Sequence, residues 1–235
     1  MTEMPPFDAL QAGFSGKRVN LFTHYARSQT SASAWALMNW DAQVGAALSI
    51  ELGHVEVLVR NAIHRELVAL SNRLAKDANW FDHLGTLGIS GNDAARIEDL
   101  KRDLQQRSTR NPRRVIGSSD IVAGLSFGLW RNLVGNTYHR ALWDPRLHRA
   151  FSNVARPTVS DALGRATDLR NRIAHRRPIC KRIAPADTRQ ASPDSNVAWL
   201  LDELANIRRL AVWVAPAVAS FLAVADLEDL IRSRP

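Results

Sequence analysis

The chain has 235 residues, of which 46% are hydrophobic and 23% charged, a balance that excludes a disordered or fibrous protein. The net charge is +8, and 27 of the 31 basic residues are Arg. Arg presents a planar fork of donors suited to phosphate oxygens, so the surplus fits a polyanionic partner, although Arg-for-Lys usage also follows codon bias. The lone cysteine, Cys180, excludes an internal disulfide and a cysteine zinc site.

The first residues, MTEMPPFDAL, carry no basic stretch followed by an apolar run, so no secretory signal is expected. The apolar window 210–225 is interrupted by Pro216 and falls short of the roughly 18–20 residues needed to span a bilayer. No membrane partner and a cytoplasmic location are therefore expected. Apolar residues recur with helical period along nearly the whole chain, and no stretch alternates as a half-buried strand would. The expectation is an all-α fold with one domain over 1–235. Central helices fill 33–75, as one helix or as two broken at Gly53. A polar segment holds Trp80 and Phe81, and a helix covers 92–107. The run RSTRNPRR (107–114) reads as a basic loop carrying Arg113 and Arg114. Ser118, Ser119 and Asp120 supply cap chemistry for a helix to 134. Further helices are expected over 138–151, from Thr158 or Ser160 to His175, over 196–215 and over 217–231. The motif-bearing helices thus span 118–175 and the C-terminal ones 196–232, with a loop at 176–195.

On a wheel of about 100° per residue, Val159, Ala162, Leu163, Ala166, Leu169 and Ile173 form one apolar stripe. Asp161, Gly164, Asp168, Asn171 and His175 form an opposing polar one. Gly inside a helix costs about 1 kcal/mol relative to Ala, so Gly164 suggests close approach of another backbone. Arg170 falls near the apolar stripe. It either snorkels past the core edge or is held by an internal carboxylate. Arg172 falls on a third, solvated side. Upstream, Glu56, Arg60 and His64 stand at i, i+4 and i+8 on a helix that is otherwise apolar all round. They are either a satisfied structural set or part of a site. Trp130 reads as core, and Ser126–Gly128 as close helix packing rather than a nucleophile.

Several blocks together resemble a known family. MNWD (38–41), EVLVRNAI (56–63), LSFGLW (125–130) and LRNRIAH (169–175) are similar, in this order, to the Abi-like abortive-infection proteins of the HEPN superfamily. Arg170, Asn171 and His175 match that superfamily's Arg-polar-x3-His signature. The resemblance implies a HEPN-like helical bundle with extra helices, forming a homodimer whose two motifs face one cleft. It implies a metal-independent ribonuclease used as a toxin or antiviral effector, with RNA as substrate and an antitoxin or regulatory protein as a further partner. Some members are instead non-catalytic binding modules. Under the resemblance, Arg170 and His175 are catalytic, Asn171 supports them, and Glu56 and Arg60 belong to a recurrent block of less settled role. The sequence departs from the pattern after the histidine, where Arg176 and Arg177 stand in place of a second His or an acidic residue.

The chemistry is self-consistent. RNA supplies its own nucleophile, the 2′-hydroxyl. Cleavage then needs a base, an acid and positive charge on the transition state. Imidazole can serve in either protonation state near neutral pH, and a two-fold dimer offers two copies of His175. Arg170 would stabilise charge on the non-bridging oxygens. Asn171 or Asp168 could orient the imidazole. Arg172, Arg176, Arg177, Arg113 and Arg114 would hold phosphates without reading bases. None of the seven His falls in a metal-ligand spacing, so no metal or cofactor is expected.

Overall fold

Helical spacing of the apolar residues is matched by helices throughout. The computed structural model describes residues 6–110, 117–181 and 193–235, and these hold no strand. The helices are α1 (Phe7–Phe14), α2 (Gly16–Tyr25), α3 (Ser31–Ala75), α4 (Gly91–Arg110), α5 (Ser118–Gly124), α6 (Phe127–Leu133), α7 (Arg156–Ala174), α8 (Pro193–Val214), α9 (Pro216–Ala219) and α10 (Leu227–Arg232). The chain divides into two compact units, one made of residues 1–52, 168–206 and 223–235, the other of 53–167 and 207–222.

In the first unit, α1 and α2 were not anticipated from the sequence. They meet at Ser15, which adopts a left-handed φ of 68°, and they bury Leu10, Val19 and Phe22. Thr30 starts α3 by accepting the Ser33 amide on its hydroxyl. Trp40 is buried on α3 and donates its indole N–H to the Leu230 carbonyl at 2.7 Å. Glu51 is 1% exposed and accepts the Val224 amide. A buried carboxylate so bonded avoids the desolvation penalty of a bare charge.

α3 runs through Gly53 without a break, because one glycine costs about 1 kcal/mol against the packing of the whole helix. It also holds an apolar window with a mean hydropathy of 1.3 over 18 residues. By length and composition alone that would cross a membrane. Core helices pass the same test, and Val44, Leu48, Leu52, Val55 and Val59 of α3 are buried within the protein.

The second unit packs Trp80 and Trp130, both fully buried, edge to face with centroids 6.0 Å apart. Trp80 donates to His64 Nδ1 at 3.0 Å, which makes His64 a structural acceptor. The helix expected over 118–134 is two helices. Leu125, with an extended backbone, ends the first, and Ser126 caps the second, its hydroxyl accepting the Leu129 amide. Gly128 marks no close packing, since a Cβ there would meet only Ser126 Oγ, at 3.9 Å. Gly117, not a serine, occupies the cap of α5, and its amide donates to Asp120 Oδ2. The helix expected over 138–151 is replaced by 3-10 turns at Asn136–Tyr138 and Leu147–Phe151 around a π-helical turn, His139–Trp143. Pro145 lacks the amide that a continuous α-helix would need there.

Candidate functional site

α7 has the predicted two-sided character. Every residue of its apolar stripe is buried, while Asp161, Asp168, Asn171 and His175 are exposed. Of the two arginines near its end, Arg170 takes the first of its two expected forms and Arg172 departs from expectation. Arg170 is exposed, and its Nη1 donates to Asn171 Oδ1 at 3.3 Å. A wheel places its Cα beside the apolar stripe, but the long stem carries the charge past the core edge to water. Arg172 is half-buried rather than solvated, and its Nε donates to the Pro178 carbonyl at 2.6 Å. Burial pulls its pKa down, while the neighbouring Asp41 carboxylate pushes it back up. Arg172 therefore helps to hold the helix end, and the expectation that it is solvated is corrected.

The helix closes with a Schellman turn. The Arg177 amide donates to the Arg172 carbonyl and the Arg176 amide to the Ile173 carbonyl, each at 2.9 Å. His175 is the cap residue, and Arg176 takes the left-handed position at φ 53°. That position favours glycine, and an arginine there costs about 1 kcal/mol. The surroundings more than offset it. Arg18 Nη1 donates to the Arg176 carbonyl at 2.8 Å. Asp41 Oδ1 accepts the amides of Ile179 and Cys180, both at 2.7 Å. Asn196 Nδ2 donates to the Ile179 carbonyl at 2.9 Å. Several bonds of about 1 kcal/mol each outweigh one strained residue.

Asp41 is the residue that sequence reasoning missed. It is 7% exposed, and burial raises its carboxyl pKa while the two amide bonds and Arg18 oppose the rise. It stands in the MNWD block, but its partners lie 138 and 139 residues away in sequence. The one available signal was a carboxylate set inside an apolar helical run. Burial, with Asp41 adjacent, pushes the Cys180 thiol well above its usual pKa, so it stays a neutral thiol. A cavity of about 90 Å³ opens between Arg18, Asp41, Gly45, Arg176 and Arg177.

Arg170, Asn171, His175, Arg176 and Arg177 are thus all exposed at one fixed helix end. Arg170 and His175 remain about 140° apart around the axis, so the helix does not put them on one face. Asp168 is exposed one turn earlier. Glu56 and Arg60 belong to the second unit, where both are half-buried and Arg60 Nε is buried without a hydrogen-bond partner among the described residues. Arg113 and Arg114 lie outside the described residues. Arg107, expected in a basic loop, is on α4 and pairs with Asp103 at 2.7 Å. No known family model, curated protein or solved structure matches this chain. Among the described residues, no three His, Cys, Asp or Glu side chains gather as a metal site requires.

Chemically, the helix end offers one exposed imidazole, one amide and three exposed guanidinium groups. Together these are an acid or base and a set of oxyanion donors. They do not form a nucleophile–base pair of the serine or cysteine hydrolase kind.

Proposed function

We propose that the protein is a metal-independent endoribonuclease of the abortive-infection type, built as a HEPN-like bundle and active as a homodimer in the cytoplasm. The observation that carries this reading is the exposure of Arg170, Asn171 and His175 at a helix end whose backbone is fixed by Asp41, Arg18 and Arg172. Held groups of this kind avoid reorganisation during the reaction. The 2′-oxygen attacks the adjacent phosphorus and loses its proton to one imidazole. The P–O5′ bond breaks, and the departing oxygen takes a proton from the second imidazole. Arg170 faces the charge that develops on the non-bridging oxygens, and Arg176 and Arg177 hold flanking phosphates. The angular separation of Arg170 and His175 is accommodated by drawing the working groups from two protomers.

The test is cleavage of total RNA in EDTA by the wild type, His175→Ala and Arg170→Ala. Cleavage insensitive to EDTA and lost in both variants supports the reading. Equal cutting by the wild type and His175→Ala overturns it, as does RNA binding without cleavage. A strict monomer by light scattering removes the second imidazole and with it the dimer mechanism.

A further inference from the structure

The second unit holds another arginine whose surroundings are unlike those at the end of α7. Arg131, on α6, is half-buried, and no described residue gives its side chain a hydrogen bond or ion pair. It lies against Gly164 of α7. A Cβ on that glycine would stand 3.5 Å from Nη2 and 3.7 Å from Nε. A methyl would just fit, and anything larger would displace the guanidinium. What approaches Gly164 is therefore an arginine side chain, not the backbone that the sequence suggested.

Two costs meet here. A glycine in mid-helix forfeits about 1 kcal/mol relative to alanine. A half-buried guanidinium loses hydration and recovers nothing from a counter-charge. Among the described residues neither is repaid by a hydrogen bond or ion pair, and rules broken without structural return mark functional positions.

The space in front of Arg131 is a cleft of about 400 Å³, lined also by Asp93, Asn132, Thr137, Tyr138 and Ser160. Its one carboxylate is already occupied. Asp93 accepts from Asn132 Nδ2 and from the Tyr138 hydroxyl, each at 3.0 Å, and lies 3.8 Å from Arg96. The hydroxyls of Thr137 and Ser160 have no partner among the described residues. The wall carrying Thr137 is fixed to α7, because Arg156 donates to Asn136 Oδ1 at 3.1 Å and to His139 Nδ1 at 3.0 Å. His139 Nε2 is in turn 2.9 Å from Asp144. The cleft is thus preformed, with a guanidinium and two hydroxyls left over.

We propose that this cleft binds a phosphate group, with Arg131 as the charged fork and Thr137 and Ser160 as hydroxyl donors. Donors from α6, α7 and the 136–138 turn suit a tetrahedral oxyanion better than a planar carboxylate, which one Arg fork satisfies alone. The phosphate can belong to a free nucleotide or to an RNA backbone. The inference does not depend on His175 or on RNA cleavage.

The full chain would be titrated by calorimetry with inorganic phosphate, adenosine 5′-monophosphate and a cleavage-resistant 2′-O-methyl oligonucleotide. We expect saturable binding that weakens about tenfold or more in Arg131→Gln and in Gly164→Val, and severalfold in Ser160→Ala. Tighter binding of the mononucleotide identifies the free nucleotide as the source. Tighter binding of the oligonucleotide, with a salt dependence reduced by about one phosphate contact in Arg131→Gln, identifies the backbone. Arg131→Gln removes no described hydrogen bond or ion pair, so it stays folded even if Gly164→Val does not. Wild-type affinity of Arg131→Gln for all three probes, or saturation by none of them, overturns the proposal.

Discussion

At the carboxyl end of α7, Arg18 and Arg172 each donate to a backbone carbonyl, and Asp41 takes two amide hydrogens. In the middle of the same helix, Arg131 lies on Gly164 with no partner among the described residues. The first arrangement spends its arginines on holding a turn, so the neighbouring exposed groups are left in place for a ligand. The second holds its walls by other means and leaves the arginine itself over. In an Arg-rich chain, composition cannot separate these roles. The acceptor each guanidinium finds does so.

The sharpest way to break the contrast is to remove the acceptor that holds the turn. Asp41→Ala strands two buried amides and should lower stability by about 2–4 kcal/mol in urea unfolding. Asp41→Asn keeps an accepting Oδ1 and should stay within about 1 kcal/mol of wild type. Equal stability of the two variants would mean that the turn is held by something else. Because burial raises the Asp41 pKa above 3.8, the native state holds this proton more tightly than the unfolded chain. Its contribution to stability is present below pH 3.8 and is lost as pH rises to the folded value. In Asp41→Asn that loss should vanish.

A tied residue in the second unit gives the opposite sign. Burial lowers the His64 pKa below 6.5, so wild type should lose stability as pH falls through 6.5 to the folded value. His64→Leu should abolish this pH dependence. It should also cost about 1–2 kcal/mol, by leaving the Trp80 indole N–H unpaired. An unchanged acid limb in the variant would remove His64 from the tied class.

Both stripes of α7 were legible in the sequence, because burial follows Cα position at 3.6 residues per turn. The same wheel left two readings open for Arg170 and put Arg172 on a solvated side, where it is instead half-buried. A wheel places a Cα, whereas a guanidinium ends far from it and goes where an acceptor or water is found. α1, α2 and hence Arg18 were missed, because these helices are short and Ser15 breaks them apart. The break in the helix expected over 118–134 depends on Ser126 preferring to cap rather than continue, a choice that periodicity does not register. Gly164 was recognised as a place of close approach, but the approaching group came from α6, beyond the reach of local pattern.

Smaller effects sharpen the contrast further. Arg176→Gly relieves the left-handed strain and should raise stability by about 0.5–1 kcal/mol, seen as a higher urea midpoint. A lower midpoint would mean that the Arg176 side chain contributes to the fold. Arg131→Gln should move the midpoint by less than about 0.5 kcal/mol, since nothing described depends on the guanidinium. A loss above 1 kcal/mol would return Arg131 to the structural class.

The most direct measurement is the initial rate of RNA cleavage in EDTA by His175→Ala beside wild type, with urea midpoints recorded for both. His175 is an exposed cap residue, so we expect the midpoint to be unchanged and the rate to fall by about 10²-fold or more. Equal rates at equal stability would contradict the assignment of the α7 terminus as the site of RNA cleavage.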